Sequence, residues 1–321
     1  MAKFPITLSR FIIEQQAAHP EATGEFSVLL TQIGLVGKMI AHDLRRAGLN
    51  KILGTTGETN VQGEVVKKLD QIANDTFVRV FEHSGLVCVL ASEEMEKPLK
   101  MVHEGAKYML LVDPLDGSSN TDVNMPLGAI FSIRRSRTGQ SVEDELLQKG
   151  TEQIAAGYVL YGASTMLVFT VGQGVHGFTL EPSIGEYLLS NENIRIPSRG
   201  KVYSVNEGNY HRWPAGTQRY LDYLKVQDKP TSRPYSGRYS GCLVADVHRI
   251  LLGGGIYLYP GDGRKGYASG RLRLLYEAHP MALIMEWAGG AASRRPRRVR
   301  SRGADLSPDR RAADQHPYGA G

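Results

Sequence analysis

The chain has 321 residues, long enough to bury a substantial core and above the roughly 250–300 residues at which single cores tend to split, so two domains are expected. Apolar residues make up 41%, no window reaches the run of about 20 that a membrane span needs, and two cysteines without metal-type spacing, Cys88 and Cys242, exclude a disulfide scaffold or cysteine zinc site and fit a reducing cytoplasm. The net charge of +5 belongs to the tail: removing the eight arginines and three aspartates of residues 292–321 leaves 30 basic and 30 acidic groups, so neither a nucleic-acid nor a membrane partner is expected.

The N-terminal MAKFPITLSRFIIEQQ has no sustained apolar run, so no secretory signal is expected, and Ser9 is a candidate cap for a short helix. From Ser27 to Leu49, Leu30, Ile33, Val36, Met39, Ile40 and Leu44 recur at threes and fours, which predicts an amphipathic helix. A Gly/Thr/Asn-rich loop from residue 54 then runs into a second such helix. Two apolar runs, LVCVLASEE (86–94) and KYMLLVDPLDGSSN (107–120), read as buried strands that end in carboxylates. AIFSIRR, QIAAGYVLYG, TMLVFTVG, GVHGFTL and EYLLS follow as further strands. Past residue 195 strands and helices alternate: KVYSVNEGN, a helix near 218–226, the CLVADVHRILLGG helix, the GIYLYP strand, RLRLLYE, and the MALIMEWAGG helix. A boundary near residue 195 gives domains over 1–195 and 196–291, with an atypical Arg-rich tail over 292–321.

The string Asp113-Pro114-Leu115-Asp116-Gly117-Ser118-Ser119-Asn120 carries the most chemistry. MLLV delivers its last residue to the carboxyl edge of a sheet, where ligands of α/β folds bind. Pro114 forces a turn that lets both aspartates converge. Convergent carboxylates repel one another unless a cation sits between them. Gly117, Ser118 and Ser119 add the N–H and hydroxyl donors that cradle a phosphate. A metal site beside a phosphate cradle is a phosphoryl-transfer layout; the plain alternative is a polar turn capped by Asp and Ser.

Glu93 and Glu94 end the neighbouring strand, and Glu277 precedes a helix begun by Pro280. Asn60, Glu64 and Asp70 lie on the approach to the second helix, where a solvated, mixed-charge face is the bland reading. Asn206, Tyr210, Arg238, Tyr239, Tyr257, Tyr259, Arg271 and Arg273 are phosphate-binding candidates, with Arg271 and Arg273 expected to alternate along one strand. His248 and His279 show no metal spacing and read as structural, and Cys88 reads as core.

These stretches resemble the class I fructose-1,6-bisphosphatases. TNVQGEVVKKLD, ASEE, DPLDGSSN, YSVNEGN, RYSGCLVADVHRILLGGGIYLYP and LRLLYEAHPMALIMEWAGG fall in that family's order over roughly residues 8–292. DPLDG alone is shared with the wider superfamily that includes inositol monophosphatase; NEGN, VADVHR with IYLYP, and LRLLYE narrow it. The resemblance implies an α/β (α+β) fold layered αβαβα, a homotetramer, and hydrolysis of the 1-phosphate of fructose 1,6-bisphosphate with Mg²⁺, or alternatively Mn²⁺. It implies Glu93, Glu94, Asp113, Asp116, Glu277 and the Leu115 carbonyl as metal ligands. Asp70 and Glu94, with Asn60 and Glu64 close by, would orient and deprotonate the attacking water. Asp116, Gly117, Ser118 and Ser119 would contact the transferring phosphate, and Arg273 would lie near it. Asn206, Tyr210, Tyr239, Tyr257, Leu258, Tyr259 and Arg271 would hold the sugar and its 6-phosphate, with Arg238 reaching a neighbouring subunit.

The resemblance also implies AMP inhibition, through Thr23-Gly24-Glu25 with Lys107, Tyr108 and Arg135. Arg271 stands where the family usually has Lys. After Ala291 the resemblance stops, and SRRPRRVRSRGADLSPDRRAADQHPYGAG has no amphipathic period. An out-of-frame terminus is favoured there over a basic interaction tail. Two other readings fit the same residues: a broader phosphatase acting on sedoheptulose 1,7-bisphosphate or inositol phosphates, and a non-catalytic phosphosugar- or nucleotide-binding protein.

Overall fold

The N-terminal third supplies α1 (Leu8–Ala17), α2 (Glu25–Arg46), a hairpin of β1 (Thr55–Thr59) and β2 (Val65–Lys67), and α3 (Lys68–Phe81). The computed structural model describes residues 5–17, 23–59, 65–103, 105–137 and 141–293. The main sheet follows with β3 (Val87–Ser92), β4 (Leu99–Lys100), β5 (Tyr108–Asp116) and β6 (Leu127–Arg135). After the short α4 (Val142–Leu146) come β7 (Ala155–Tyr161), β8 (Thr165–Thr170), β9 (His176–Glu181) and β10 (Glu186–Asn191). Their order in the sheet is β10-β9-β8-β7-β6-β5-β3-β4, antiparallel throughout except for the parallel pair β3 and β5. The second half adds β11 (Val202–Ser204), α5 (Ala215–Lys225), β12 (Ser236–Gly237), α6 (Leu243–Gly253), β13 (Ile256–Tyr257) and α7 (His279–Trp287), with a parallel three-stranded sheet ordered β12-β11-β13.

The large sheet is covered on both faces, which is why β3 and β5 read as unbroken apolar runs. On one face Leu110, Val112, Phe131, Val159 and Phe178 meet Phe11 of α1, Leu29, Ile33 and Ile40 of α2, and Phe77 of α3. On the other, Ile130, Ala156, Tyr158 and Val168 meet Val244, Val247 and Leu251 of α6 and Met281 and Ile284 of α7. Beyond α6, Tyr203 and Val205 pack with Trp213 and with Leu221 and Leu224 of α5. The layers are thus helix, large sheet, helix, small sheet, helix, as the resemblance implies.

Three local expectations are corrected. Thr7, not Ser9, caps α1: its hydroxyl accepts the Arg10 N–H at 3.2 Å while Ser9 lies inside the helix. The expected loop after residue 54 is a hairpin, anchored where Asp122 accepts the Gly54 N–H at 3.0 Å and pairs with Lys67. Arg271 and Arg273 do not alternate along a strand. The Arg273 N–H donates to the Glu277 carboxylate, which bends residues 274–278 into a π-helical turn continuing into α7, with Pro280 in its first turn where no intrahelical N–H is needed.

Gly128 sets the approach of α6 to the sheet, because a Cβ there would lie 2.3 Å from Val244 Cγ2. Gly128→Ala is therefore expected to cost about 1–3 kcal/mol, read by urea unfolding. Undiminished stability would mean that α6 is not seated on β6 as described.

Candidate active site

The site begins with the parallel pair. Ser92 of β3 lies opposite Val112 of β5, and the Glu93 N–H continues the ladder to the Val112 carbonyl at 3.0 Å. Both strands therefore release their carboxylates at one sheet edge, Glu93 and Glu94 beside Asp113 and Asp116. Along β5 a second device acts. Asp113 faces Ile130 and Asp116 faces Gly128, so three steps on β5 match two on β6. Residues three apart on a regular strand point to opposite faces; the extra residue restores them to one side. Pro114, which has no N–H to lose, sits in this break, and Asp113 Oδ1 accepts the Leu115 N–H at 3.2 Å.

Asp113, Asp116 and Glu277 are all buried and bring one oxygen each within 4.8 Å of one another. Glu277 arrives on the π-helical turn. Asp116 is fixed by the start of α6: Oδ2 accepts from Val244 N at 2.7 Å and from the Cys242 thiol at 3.0 Å, and Oδ1 from Leu243 N at 3.2 Å. Gly117 permits this docking, since its φ is +80° and a Cβ would fall 2.7 Å from that of Cys242. Arg273 joins the cluster from the rim, its guanidinium 2.5 Å from Glu93 Oε1 and 4.0 Å from Glu277 Oε1. Asp70, buried in the first turn of α3, accepts the Lys67 N–H at 3.0 Å.

So many acids in one small volume disfavour full ionisation. Burial pushes Glu277 up to about 8, opposed by the Arg273 N–H. Burial, then the charges of Glu93 and Asp70, push Glu94 up to about 8. Asp113 is raised well above the ordinary carboxylate range by burial and then by Asp116, Glu93 and Glu277. Burial also raises Asp116, although its three donors at α6 oppose the shift. A group of hard oxygen donors that resists carrying its own charge fits a hard divalent cation.

Ser118 and Ser119 open a 3-10 turn directly after Gly117. Across the site stand the tyrosines. Burial raises the Tyr257 phenol, and the charges of Tyr239, Asp116 and Glu277 add to the shift. Burial likewise raises the Tyr239 phenol, followed by the charges of Tyr259, Asp246 and Asp116. The Leu258 N–H is bound to the Ser204 carbonyl at 2.9 Å, which carries β13 into the small sheet. Asn206 caps the turn over 207–212 through the Gly208 N–H at 3.1 Å. Tyr210 is turned toward α5 instead, donating to Asp222 at 2.6 Å. Arg238 is exposed beside β12, and Arg271 lies against the Tyr267 ring at 5.1 Å. Asn60 and Glu64 lie outside the described residues.

The remaining candidate group is also assembled. Lys107 Nζ is 2.8 Å from Glu25 Oε2, Tyr108 pairs with Arg135 across β5 and β6, and the Arg135 guanidinium lies 5.8 Å from the Tyr108 ring. Thr23 hydrogen-bonds Glu25, whose carboxyl is lowered chiefly by Lys107. His248 bonds the Tyr158 hydroxyl at 2.8 Å, His279 meets Arg134 at 3.1 Å, and Cys88 is buried, all structural as expected. Sequence reasoning missed Asn120 and Asp246 as organisers of the site. Asn120 donates to the Ser240 carbonyl at 3.0 Å, and Asp246 accepts the Ser240 N–H at 3.0 Å. Asn120 closes the DPLDGSSN string and so was visible there; Asp246 had no sequence signal beyond its place in an apolar helix.

Residues 6–192 match the family model described as Fructose-1-6-bisphosphatase, N-terminal domain, and residues 196–310 match that of the C-terminal domain. The chain belongs to the fructose-1,6-bisphosphatase family. It is 52% identical over 298 residues to the fructose-1,6-bisphosphatase class 1 of Chloroherpeton thalassium, covering 92% of this chain and 85% of that one. It is 51% identical to the Sorangium cellulosum protein of the same name, covering 94% and 87%. The crystal structure of Leishmania major fructose-1,6-bisphosphatase in holo form superposes with a TM-score of 0.82 at 44% identity, covering 89% of this chain and 87% of that one. The T-state structure of the same Leishmania enzyme gives 0.79 at 42%, covering 90% and 87%. The C-terminal match runs to residue 310, past Ala291, where the motifs alone end the resemblance; residues from Arg294 onward lie outside the described residues.

The raised carboxyls give this fructose-1,6-bisphosphatase fold a pH dependence of definite sign. Acids whose folded pKa exceeds the unfolded value, about 4.3 for Glu, bind more protons when folded. Their stabilisation is full below that value and is lost as pH rises through about 8 for Glu94 and Glu277. In a chelator, thermal stability is therefore expected to fall from pH 5 to pH 8, and Asp113→Asn to raise it at pH 8 by about 1 kcal/mol or more. A flat pH profile, or a less stable Asn variant, would show that the acids do not repel one another.

Proposed function

We propose that this chain hydrolyses the 1-phosphate of D-fructose 1,6-bisphosphate, giving D-fructose 6-phosphate and phosphate with Mg²⁺, or Mn²⁺, as the cation. The observation that carries the reading is the convergence of Asp113, Asp116 and Glu277 within 4.8 Å beside Glu93 and the Gly117-Ser118-Ser119 donors, in a chain of this family. Glu93, Glu94, Asp113, Asp116, Glu277 and the Leu115 carbonyl are the proposed metal ligands. When bound, the cation neutralises charge on the entering and leaving oxygens and acidifies the attacking water.

The chain's own residues do the rest. Gly117, Ser118 and Ser119 receive the phosphate that is transferred, and the Arg273 guanidinium offsets its charge. Asp70 and Glu94 orient a water behind phosphorus. As its oxygen bonds to phosphorus, the bond from phosphorus to the C1 oxygen breaks, and the water's proton passes to the Glu94 side. That proton is then delivered to the departing C1 oxygen, so the sugar leaves as its hydroxyl and the Glu94 carboxylate is ionised again for the next turnover. Asn60 and Glu64 belong to the same assignment. Asn206, Tyr210, Tyr239, Tyr257, Leu258, Tyr259 and Arg271 are assigned to the sugar and the 6-phosphate, whose binding energy orients the reacting end. For Tyr210 to donate to the 6-phosphate its hydroxyl must leave Asp222, to which it now gives its proton; while held there it can only accept, as from a sugar hydroxyl.

A homotetramer in the cytoplasm completes the reading, with the exposed Arg238 offered to a neighbouring copy. Among the described residues no helix is long and apolar enough to cross a membrane. AMP inhibition is the regulatory part: the nucleotide phosphate would take Lys107 from Glu25 at the start of α2, with Thr23, Gly24, Tyr108 and Arg135 around it.

Asp113→Asn and Glu277→Gln are expected to lower Mg²⁺-dependent turnover by at least about a thousandfold while the fold is kept, by steady-state kinetics and circular dichroism. Near-normal rates in either variant would remove the metal assignment. Inhibition by AMP should weaken at least about tenfold in Lys107→Ala, in line with the loss of one charge-assisted contact. A parent enzyme indifferent to millimolar AMP would remove that site.

A further inference from the structure

The loop between β13 and the π-helical turn carries a second arginine that the assigned site does not use. Arg264 is half-buried and tied down on three sides. Its guanidinium forks onto the buried Asp262, with Nη2 2.6 Å from Oδ2 and Nε 3.0 Å from Oδ1. Its plane lies over the Tyr267 ring, the Arg264 carbon 3.9 Å from the centroid, and its Nη2 reaches Asn209 Oδ1 at 3.4 Å. Arg271 approaches the same Tyr267 ring at 5.1 Å, and Arg212 shares Asn209 Oδ1 at 3.1 Å. The loop is built for this: the Asp262 N–H bonds the Tyr267 carbonyl and the Tyr267 N–H bonds the Arg264 carbonyl, both at 3.0 Å.

Three guanidiniums, those of Arg264, Arg271 and Arg212, thus gather around the Tyr267 ring and Asn209, with Asp262 the carboxylate that Arg264 grips. The loop adjoins Tyr259, since a Cβ on Gly270 would lie 2.6 Å from the Tyr259 carbonyl oxygen; burial raises the Tyr259 phenol, and the charges of Arg271 and Arg264 oppose the shift. Repulsion between neighbouring cations is tolerable where an aromatic face and a carboxylate hold one of them, and where a dianion is the intended occupant.

We propose that Arg264 is a specificity-determining residue that, with Arg271 beside the same Tyr267 ring, grips the phosphate of the substrate that does not react. The inference rests on the bisphosphatase reading and deepens it. It also accounts for arginine at position 271: a planar guanidinium shares the Tyr267 face, which a lysine ammonium does less well. Arg264 is preorganised by Asp262 and Tyr267, so little side-chain freedom is lost when the phosphate arrives.

The test compares fructose 1,6-bisphosphate with fructose 1-phosphate, which lacks the remote phosphate, for the parent, Arg264→Ala, Arg264→Lys and Tyr267→Leu. Arg264→Ala is expected to raise KM for the bisphosphate about tenfold, the loss falling on KM more than on kcat, and to shrink the advantage in kcat/KM over the monophosphate by a similar factor. Arg264→Lys should recover part of that loss, since charge is restored without the fork, and Tyr267→Leu should reproduce it. A parent that favours the bisphosphate while Arg264→Ala keeps KM within about twofold would overturn the inference alone. Equal losses on both substrates with a lowered melting temperature would overturn it too, making Arg264 a loop clamp. A parent with no preference for the bisphosphate would bring down the substrate reading itself, and this inference with it.

Discussion

The structure depends on mutual repulsion held in check. Asp113, Asp116, Glu93 and Glu277 occupy the buried edge of two parallel strands, where charges of one sign cost far more than on a surface. Three arrangements make this tolerable in the chain itself. The start of α6 gives Asp116 two N–H groups and a thiol, the bulge gives Asp113 the Leu115 N–H, and Arg273 bridges Glu93 and Glu277. What remains unneutralised is the charge that a divalent cation would offset.

The same contacts join the two halves. Asp116 and Gly117 come from the first half and Cys242 to Val244 from the second, so the docking that orients a carboxylate also seats α6 on the large sheet. Asn120 and Asp246 grip the Ser240 turn from opposite sides, one at its carbonyl and one at its N–H. Arg134 does similar service below Glu277. Fully buried on β6, it binds the Leu146 and Gln148 carbonyls at 3.2 and 2.6 Å and meets His279 at the start of α7, where burial and this cation hold the imidazole down to about 4 and hence neutral. Stability and site geometry therefore share residues, and substitutions along this seam alter both.

Much was legible in the sequence for plain physical reasons. Unbroken apolar runs ending in carboxylates gave β3 and β5 and their shared edge, because a strand covered on both faces has no polar alternation to show. The 3.6-residue period gave α2, α3 and α6. The family was carried by strings such as DPLDGSSN and LRLLYE, whose residues are dictated by chemistry at one site.

Tertiary structure decided the rest. The sequence could place Asp113 and Asp116 three apart, but only the pairing of β5 with β6 turns that odd spacing into one shared side. RLRLLYE has a strand's alternation, yet the Glu277 carboxylate captures the Arg273 N–H and coils it into a π-helical turn. Asp246 and Arg264 have sequence-near partners, Arg249 and Asp262, but what ties them to the site, a Ser240 turn also held by Asn120 for one and the distant Asn209 for the other, is met only after folding. The sequence by itself determined which elements form and which acids stand at their ends, because periodicity and residue chemistry are local. Which oxygens converge, and which cation faces which anion, was set by distances that only the packed chain defines.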